Sequence, residues 1–243
     1  AKKFGLGKNV LDGFVEEKKG VVPNTNWKKT VMGKNWYLGE TLHSGIGQGY
    51  WQTTPLQLAL MTAQIANGGY KIKPRIISSD NDSKDLEEYV KNFKNFQQNE
   101  TLFDEVVSKF KFKNLFRNQE NINFVKDALF GATNEPRGTS YRSRLTKKEF
   151  IYAGKTGTSQ VRRFTEFQRE QEIKNEDLPY KQRDHALFVA FAPYKDPKYS
   201  ISVVIEHGGT GSGSAAPIAK KVIKKLLERH PLRELTRING EEI

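Results

Sequence analysis

The sequence predicts an α+β fold, a small antiparallel sheet with helices packed on it. Three observations carry that expectation. Leu56 to Asn67 is apolar on nearly every face, which marks a buried helix. From Phe150 onward the apolar pattern changes from a helical period to alternation. The alternating runs follow one another through a short turn at Pro193 to Lys198, which favours antiparallel pairing with helices on one face of the sheet.

The elements follow in order. Residues 1–50 are rich in Gly, Lys and Asn, so we expect loops and short strands there. Thr54 is the expected N-cap of the buried helix, Pro55 fits its first position, and Gly68-Gly69 ends it. Tyr70 to Ile77 alternates like a short strand and stops at Ser78-Ser79-Asp80-Asn81-Asp82. Residues 80–118 are charged and Asn-rich, a peripheral elaboration with weak helical character. Asn121 to Thr133 reads as a helix with Ile122, Val125, Leu129 and Phe130 on one face, broken by Glu135-Pro136-Arg137-Gly138-Thr139.

A strand then leads through Ile151-Tyr152-Ala153-Gly154 into Lys155-Thr156-Gly157-Thr158. Residues 162–184 form a long polar loop before the strand His185 to Phe191. Tyr199 to Glu206 is the next strand. The final helix, from about Ala215 to Arg229, is expected to turn Ile218, Val222, Ile223, Leu226 and Leu227 inward. Residues 231–243 are a polar tail.

Composition narrows the function classes. At this length a chain loses about 70% of its unfolded surface on folding, enough for a core despite only 36% hydrophobic residues. No apolar run reaches the roughly 18 residues of a membrane span. The chain opens on Ala1 in mid-pattern, so we expect a cut N-terminus. With no cysteine there is no disulfide framework or thiolate metal site. The net charge of +12 comes from dispersed lysines, which reads as solvated faces and not as a nucleic-acid stripe. His43, His185, His207 and His230 are scattered singly, and we expect no metal and no cofactor.

Lys155-Thr156-Gly157-Thr158 carries the chemistry. Side chains alternate along a strand, so Thr156 and Thr158 share one face and Lys155 takes the other. Gly157 leaves room for a ligand to lie against the backbone. An edge strand can bind an extended peptide by strand addition, or hold a developing oxyanion at roughly 3–4 kcal/mol per donor. Gly154-Lys155-Thr156 is not the end of a P-loop, because Glu149 occupies the position that motif reserves for glycine. Gly211-Ser212-Gly213-Ser214 follows a strand and opens a helix. It has no second βαβ unit behind it, which leaves a flexible strand-to-helix turn in place of a dinucleotide site.

Further strings accompany the tetrapeptide: Gly45-Ile46-Gly47-Gln48-Gly49-Tyr50-Trp51 with Thr54-Pro55-Leu56-Gln57, then Asn134 to Thr139, Arg183-Asp184-His185-Ala186-Leu187-Phe188 and Glu206-His207-Gly208-Gly209. In this order and spacing the chain closely resembles the C-terminal half of the transpeptidase domain of the penicillin-binding protein 2 family. These are class B, elongation-type cell-wall enzymes of Gram-negative bacteria. The resemblance covers nearly all of residues 1–230, with 80–118 the least similar part, and makes 1–243 the C-terminal portion of one such domain.

The resemblance implies a serine that attacks the penultimate carbonyl of a D-alanyl-D-alanine stem peptide. D-alanine leaves, and the acyl group then passes to an amine on a neighbouring stem; β-lactams acylate the same serine. It makes Lys155, Thr156 and Gly157 catalytic, with Thr158 and Ser159 binding substrate. Lys155 would support the proton network and attract the substrate carboxylate, and a backbone N–H near Thr158 would supply half of the oxyanion hole. It further implies elongation-complex membrane proteins as partners, and the periplasmic face of the inner membrane as the location.

The family's other two motifs, Ser-x-x-Lys and Ser-x-Asn, do not carry over. Ser108-Lys109-Phe110-Lys111 and Ser79-Asp80-Asn81 match in letters but in reversed order, and in solvated or turn contexts, so we read both as chance. We expect the true motifs before Ala1, leaving 1–243 inactive alone and marginally stable, with apolar surface uncovered. The alternative is a non-catalytic module that grips peptidoglycan or a partner along the edge strand.

Overall fold

The alternating runs pair as a three-stranded antiparallel sheet in the order β1-β2-β3, with β1 at Ala153–Ser159, β2 at His185–Ala192 and β3 at Tyr199–Ile205. The computed structural model describes residues 1–11, 14, 16–74, 76, 114–115, 118–161 and 175–229. Residues 82–113, 162–174 and 231–243, together with Ser79-Asp80-Asn81 and Ser108 to Lys111, lie outside the described residues. Register sets Thr156 opposite Phe188, Lys155 opposite Val189 and Ser159 opposite His185. Cross-strand partners share a face. Gly154, Thr156 and Thr158 therefore lie on the face of Ala186, Phe188 and Ala190, while Lys155, Gly157 and Ser159 lie on the other.

Among the described residues the α-helices are α1 (Thr25–Met32), α2 (Leu38–Gly45), α3 (Pro55–Ala66), α4 (Gln119–Asn134) and α5 (Ala216–Arg229). They cover both faces of the sheet, not the single face expected. Ala216, Ala219, Ile223 and Leu227 of α5 pack on Ala186, Phe188 and Ala190. On the opposite face Ala66 of α3 and Leu129 and Phe130 of α4 meet Ala153 and Phe191, and Ser200 Oγ donates to Ala59 O of α3 at 2.7 Å.

Three further expectations are corrected. Residues 1–50 contain α1 and α2 where loops and short strands were expected; Asn24 caps α1 by accepting from Trp27 N at 2.9 Å, and Gly33 closes it at φ 64°. Tyr70 makes only an isolated bridge to Asn114, and residues 71–74 form no strand. On α5 Ile223 and Leu227 turn inward as expected, but Ile218 and Val222 stay exposed, and Ala216 and Ala219 take the other inner positions, where the helix approaches the sheet closely. Apolar surface is also uncovered on α1, α2 and the turn after them, at Val31, Met32, Tyr37, Leu38, Leu42 and Ile46.

The α3 expectation holds. Thr54 accepts from Gln57 N at 3.2 Å, Pro55 opens the helix, and Gly68 and Gly69 leave it at φ 90° and 92°. Its buried glutamines fasten the irregular N-terminal segment: Gln57 Nε2 donates to Lys8 O and Lys19 O, and Gln64 Nε2 to Phe4 O, each at 2.9 Å.

α1 and α2 are joined by the buried Lys28, whose ammonium donates to Glu40 Oε1. Glu40 Oε2 accepts from Tyr37 N at 2.8 Å. The Lys28 hydrogen bond first, and the Tyr37 amide second, hold the Glu40 carboxyl below its ordinary range. A depressed carboxyl pKa stabilises the fold above the unfolded value and loses that contribution as pH falls through the folded value. Acidification below about pH 4.3 is therefore expected to shift the fluorescence of Trp27 and Trp36 on these segments. In Glu40→Gln the same titration should show no such step; a step of unchanged size would remove this carboxyl as its source.

Candidate active site

The site is built on how β1 is covered along its length. Backbone groups of alternate residues in a strand point the same way. Tyr152 O accepts from Asn134 Nδ2 at 2.9 Å, and Gly154 O accepts from Thr133 Oγ1 at 3.2 Å. Thr156 O accepts from Lys155 Nζ at 3.0 Å. All three carbonyls point away from β2, towards the open side of the sheet. The first two are satisfied by the C-terminal end of α4. Beyond Gly154 that cover stops, and the backbone of Thr156 and Thr158 faces an edge where no described strand pairs.

The turn after α4 reaches the same edge. Ser140 N and Oγ both donate to Ala132 O, at 3.0 and 2.9 Å. Thr139 Oγ1 lies 3.1 Å from Thr156 Oγ1. Gly138 allows the turn to close, since a Cβ there would stand 2.5 Å from both Gly131 O and Ala132 O. Thr139 is a site residue that the motif assignment missed, although the string Asn134 to Thr139 stood out in the sequence.

The glycines divide by role. A Cβ on Gly154 would meet Phe188 Cζ and Val189 O at 2.6 Å. A Cβ on Gly211 would meet Leu187 O at 2.4 Å and Gly157 O at 2.6 Å. The Gly211–Ala215 turn is therefore packed backbone to backbone over β1 and β2, not left as a flexible connector; Thr210 Oγ1 accepts from Gly213 N at 3.2 Å to hold it. A Cβ on Gly157 would meet only Leu187 Cβ, at an ordinary 3.4 Å. The protein's own packing does not require glycine at 157, which leaves space against the backbone for a ligand.

Lys155, Thr158 and Ser159 are exposed, and Thr156 and Gly157 are half-buried. Among the described residues no carboxylate pairs with Lys155. The five residues assigned from the sequence thus lie together on one strand, with the Lys155 ammonium and Ser159 hydroxyl on one face, the Thr156 and Thr158 hydroxyls on the other, and edge backbone groups between. Such an edge can receive an extended peptide and a carboxylate. Where single, unconnected histidines were expected, His185 and His207 come together with ring centroids 4.7 Å apart, across from Ser159. No group of three His, Asp or Glu side chains suited to a metal occurs among the described residues. An open hollow of about 550 Å³ lies apart from these residues, lined by Asn123, Lys126, Asp127, Tyr194 and Lys195.

The model of the penicillin-binding protein transpeptidase domain matches residues 1–224. The chain belongs to that family. Within it, similarity falls on the penicillin-binding protein 2 type. The peptidoglycan D,D-transpeptidase MrdA of Salmonella typhimurium is 33% identical over 226 residues, 93% of this chain and 33% of that protein. MrdA of Acinetobacter baumannii is 32% identical over 243 residues, 98% of this chain and 32% of that protein. The structure of Pseudomonas aeruginosa penicillin-binding protein 2 in complex with WCK 5153 aligns with a TM-score of 0.66 and 31% identity, covering 93% of this chain and 42% of that one. That of Helicobacter pylori penicillin-binding protein 2 with MreC gives 0.71 and 27%, covering 95% and 35%. The chain spans about a third of the length of the curated relatives it matches.

The two β1 glycines should separate stability from binding. Gly154→Ala is expected to cost about 1–3 kcal/mol of stability by overpacking. Gly157→Ala should fold with a melting temperature close to the unaltered protein's. A large loss of stability at 157 would show that this glycine serves packing and not a ligand.

Proposed function

We propose that these residues form the Lys-Thr-Gly wall of a penicillin-binding D,D-transpeptidase that cross-links peptidoglycan. The observation that carries this reading is the half-covered strand: β1 is fastened by α4 as far as Gly154, then presents Lys155, Gly157 and the backbone of Thr158 at an open edge. Family membership and the names of the relatives support the same reaction.

In that reaction the attacking serine oxygen bonds to the penultimate carbonyl carbon of a D-alanyl-D-alanine stem. The amide bond to the last D-alanine breaks, and the serine proton passes to the departing amine. The acyl group then moves to an amine of a neighbouring stem. Lys155 serves the proton network of the attack and draws in the terminal carboxylate. Thr156 and Thr158 line the cleft beside that carboxylate, Ser159 extends the binding edge, and the Thr158 N–H gives one oxyanion donor.

The serine is not assigned to any residue from 1 to 243, where the other two family motifs occur only as reversed look-alikes. The site lies at the periplasmic face of the inner membrane. Its partners are stem peptides, β-lactams and membrane proteins of cell elongation, the last in keeping with the Helicobacter pylori complex with MreC.

A fluorescent penicillin tests the reading. The full-length product carrying these residues should become covalently labelled, while residues 1–243 alone stay unlabelled. Lys155→Ala should slow labelling of the full-length product about 10²- to 10⁴-fold. Labelling of Ser108 or Ser79 would overturn the rejection of the look-alikes. If neither form is labelled but stem peptides bind without turnover, the edge strand belongs to a binding module.

A further inference from the structure

Several segments meet just past the open end of β1, and one buried side chain ties three of them. Asp184 is only 4% exposed. Its Oδ1 accepts the N–H of Val161, two residues beyond Ser159, at 3.3 Å. Its Oδ2 accepts from Asn175 Nδ2 at 3.0 Å, and its own N–H donates back to Asn175 Oδ1 at 2.9 Å. Its carbonyl accepts from Gly209 N, also at 2.9 Å. Val161 and Asn175 stand on either side of residues 162–174, so one carboxylate joins the chain leaving β1 to the chain entering β2.

The next residue continues the knot. His185 is the last partner of Ser159 in the register, and its Nδ1 accepts from His207 N at 2.9 Å. His207 holds a left-handed φ of 54°, unusual for a residue other than glycine. Its own Nδ1 lies 2.9 Å from Arg183 O. Backbone in such a region persists where the surroundings over-determine it, and here the contacts run through residues 183–185.

We propose that Asp184 is a positioning residue for acyl transfer at β1. By holding Val161 to Asn175 and to the start of β2, its carboxylate fixes the line of Thr158 and Ser159 at the binding edge. The inference rests on the transpeptidase reading above. The chemistry makes a specific demand: two donors, Val161 N–H and Asn175 Nδ2, converge on one buried acceptor pair, and neither has another acceptor in this set of bonds. In Asp184→Asn one donor must face another, whichever way the new amide turns. Exchanging the two residues repairs this. The new amide at position 184 would accept from Val161 N–H and donate to the new carboxylate at position 175, which would still accept from the backbone N–H of 184. Arg183 Nε and Nη2 donate to Leu178 O and Glu176 O at 2.9 and 3.1 Å, which holds the segment after position 175 in place in either arrangement.

The test uses the full-length enzyme and the rate constant of acylation by a fluorescent penicillin, with circular dichroism and a thermal melt beside each measurement. Asp184→Asn is expected to lower that rate constant about 10- to 100-fold while the protein remains folded. The double exchange Asp184→Asn with Asn175→Asp should return it to within about threefold of the unaltered enzyme. Unchanged acylation in Asp184→Asn overturns the inference and leaves the transpeptidase reading intact. So does a folded double exchange that recovers nothing. If Asp184→Asn fails to fold, the double exchange decides alone, by recovering acylation or by folding without it. An unaltered enzyme that is not acylated removes the transpeptidase reading, and this inference with it.

Discussion

An edge strand must find partners for its outward backbone groups, and β1 solves that demand unevenly. Unpaired peptide groups at a sheet edge invite association with another chain, and buried ones are costly. At Tyr152 and Gly154 the outward carbonyls take hydrogen bonds from Asn134 and Thr133 at the end of α4. At Thr156 the protein offers only its own Lys155 ammonium, a bond that an incoming group can replace at little cost. One strand thus serves two needs: its first half is sealed into the fold, and its second half is left available. α4 ends where it must for that division, because its C-terminal turn supplies Thr133 and Asn134 and then carries Thr139 alongside Thr156.

The same division recurs in three dimensions. On the α5 side, Gly211 presses the turn before α5 onto the backbone of Gly157 and Leu187, which leaves no space there. On the other side, where Lys155 and Ser159 point, Gly157 stands beside Leu187 with ordinary clearance. At Gly157 a ligand can therefore approach from the open edge and from the face opposite that turn. Rigid backing behind a binding strand holds its donors in place before anything binds, which electrostatic stabilisation of a developing charge requires. In the transpeptidase reading, the role of these 243 residues is to hold that wall still.

Much of this was legible in the chain. α3 announced itself through Thr54, Pro55 and the glycine pair because caps and breakers act locally, and the strands did so through alternation and a short turn. The Lys-Thr-Gly residues were placed on the correct strand with the correct faces. The signals failed where distance in sequence replaced local pattern. Thr139 meets Thr156 across 17 positions, and His207 meets His185 across 22; neither spacing has a periodic signature. α1 and α2 were hidden by a Gly-, Lys- and Asn-rich composition that resembles loop. Their tie is tertiary, a buried Lys28 held by Glu40. On α5 hydrophobic size misled: the large Ile218 and Val222 were expected inside, whereas contact distance to the sheet selects Ala216 and Ala219.

The polar side chains in the interior follow one rule that ranking residues by hydrophobicity cannot express. Gln57, Gln64, Thr133, Ser140 and Asp184 are all buried, and each bonds to a backbone group in an irregular segment, at a helix end or at the sheet edge. Gln57 and Gln64 hold residues 4, 8 and 19; Thr133 and Ser140 hold the α4 turn and β1; Asp184 holds the exit of β1. A buried amide or hydroxyl is stable only when bonded, so each of these residues specifies one position of an irregular segment at the cost of tolerating few others. Around β1 this matters most, because among the described residues the strand's open half is aligned by β2 on one side only. Its direction is set from its two ends, by Thr133 at Gly154 and by Asp184 at Val161, with the binding residues suspended between the two fixed points.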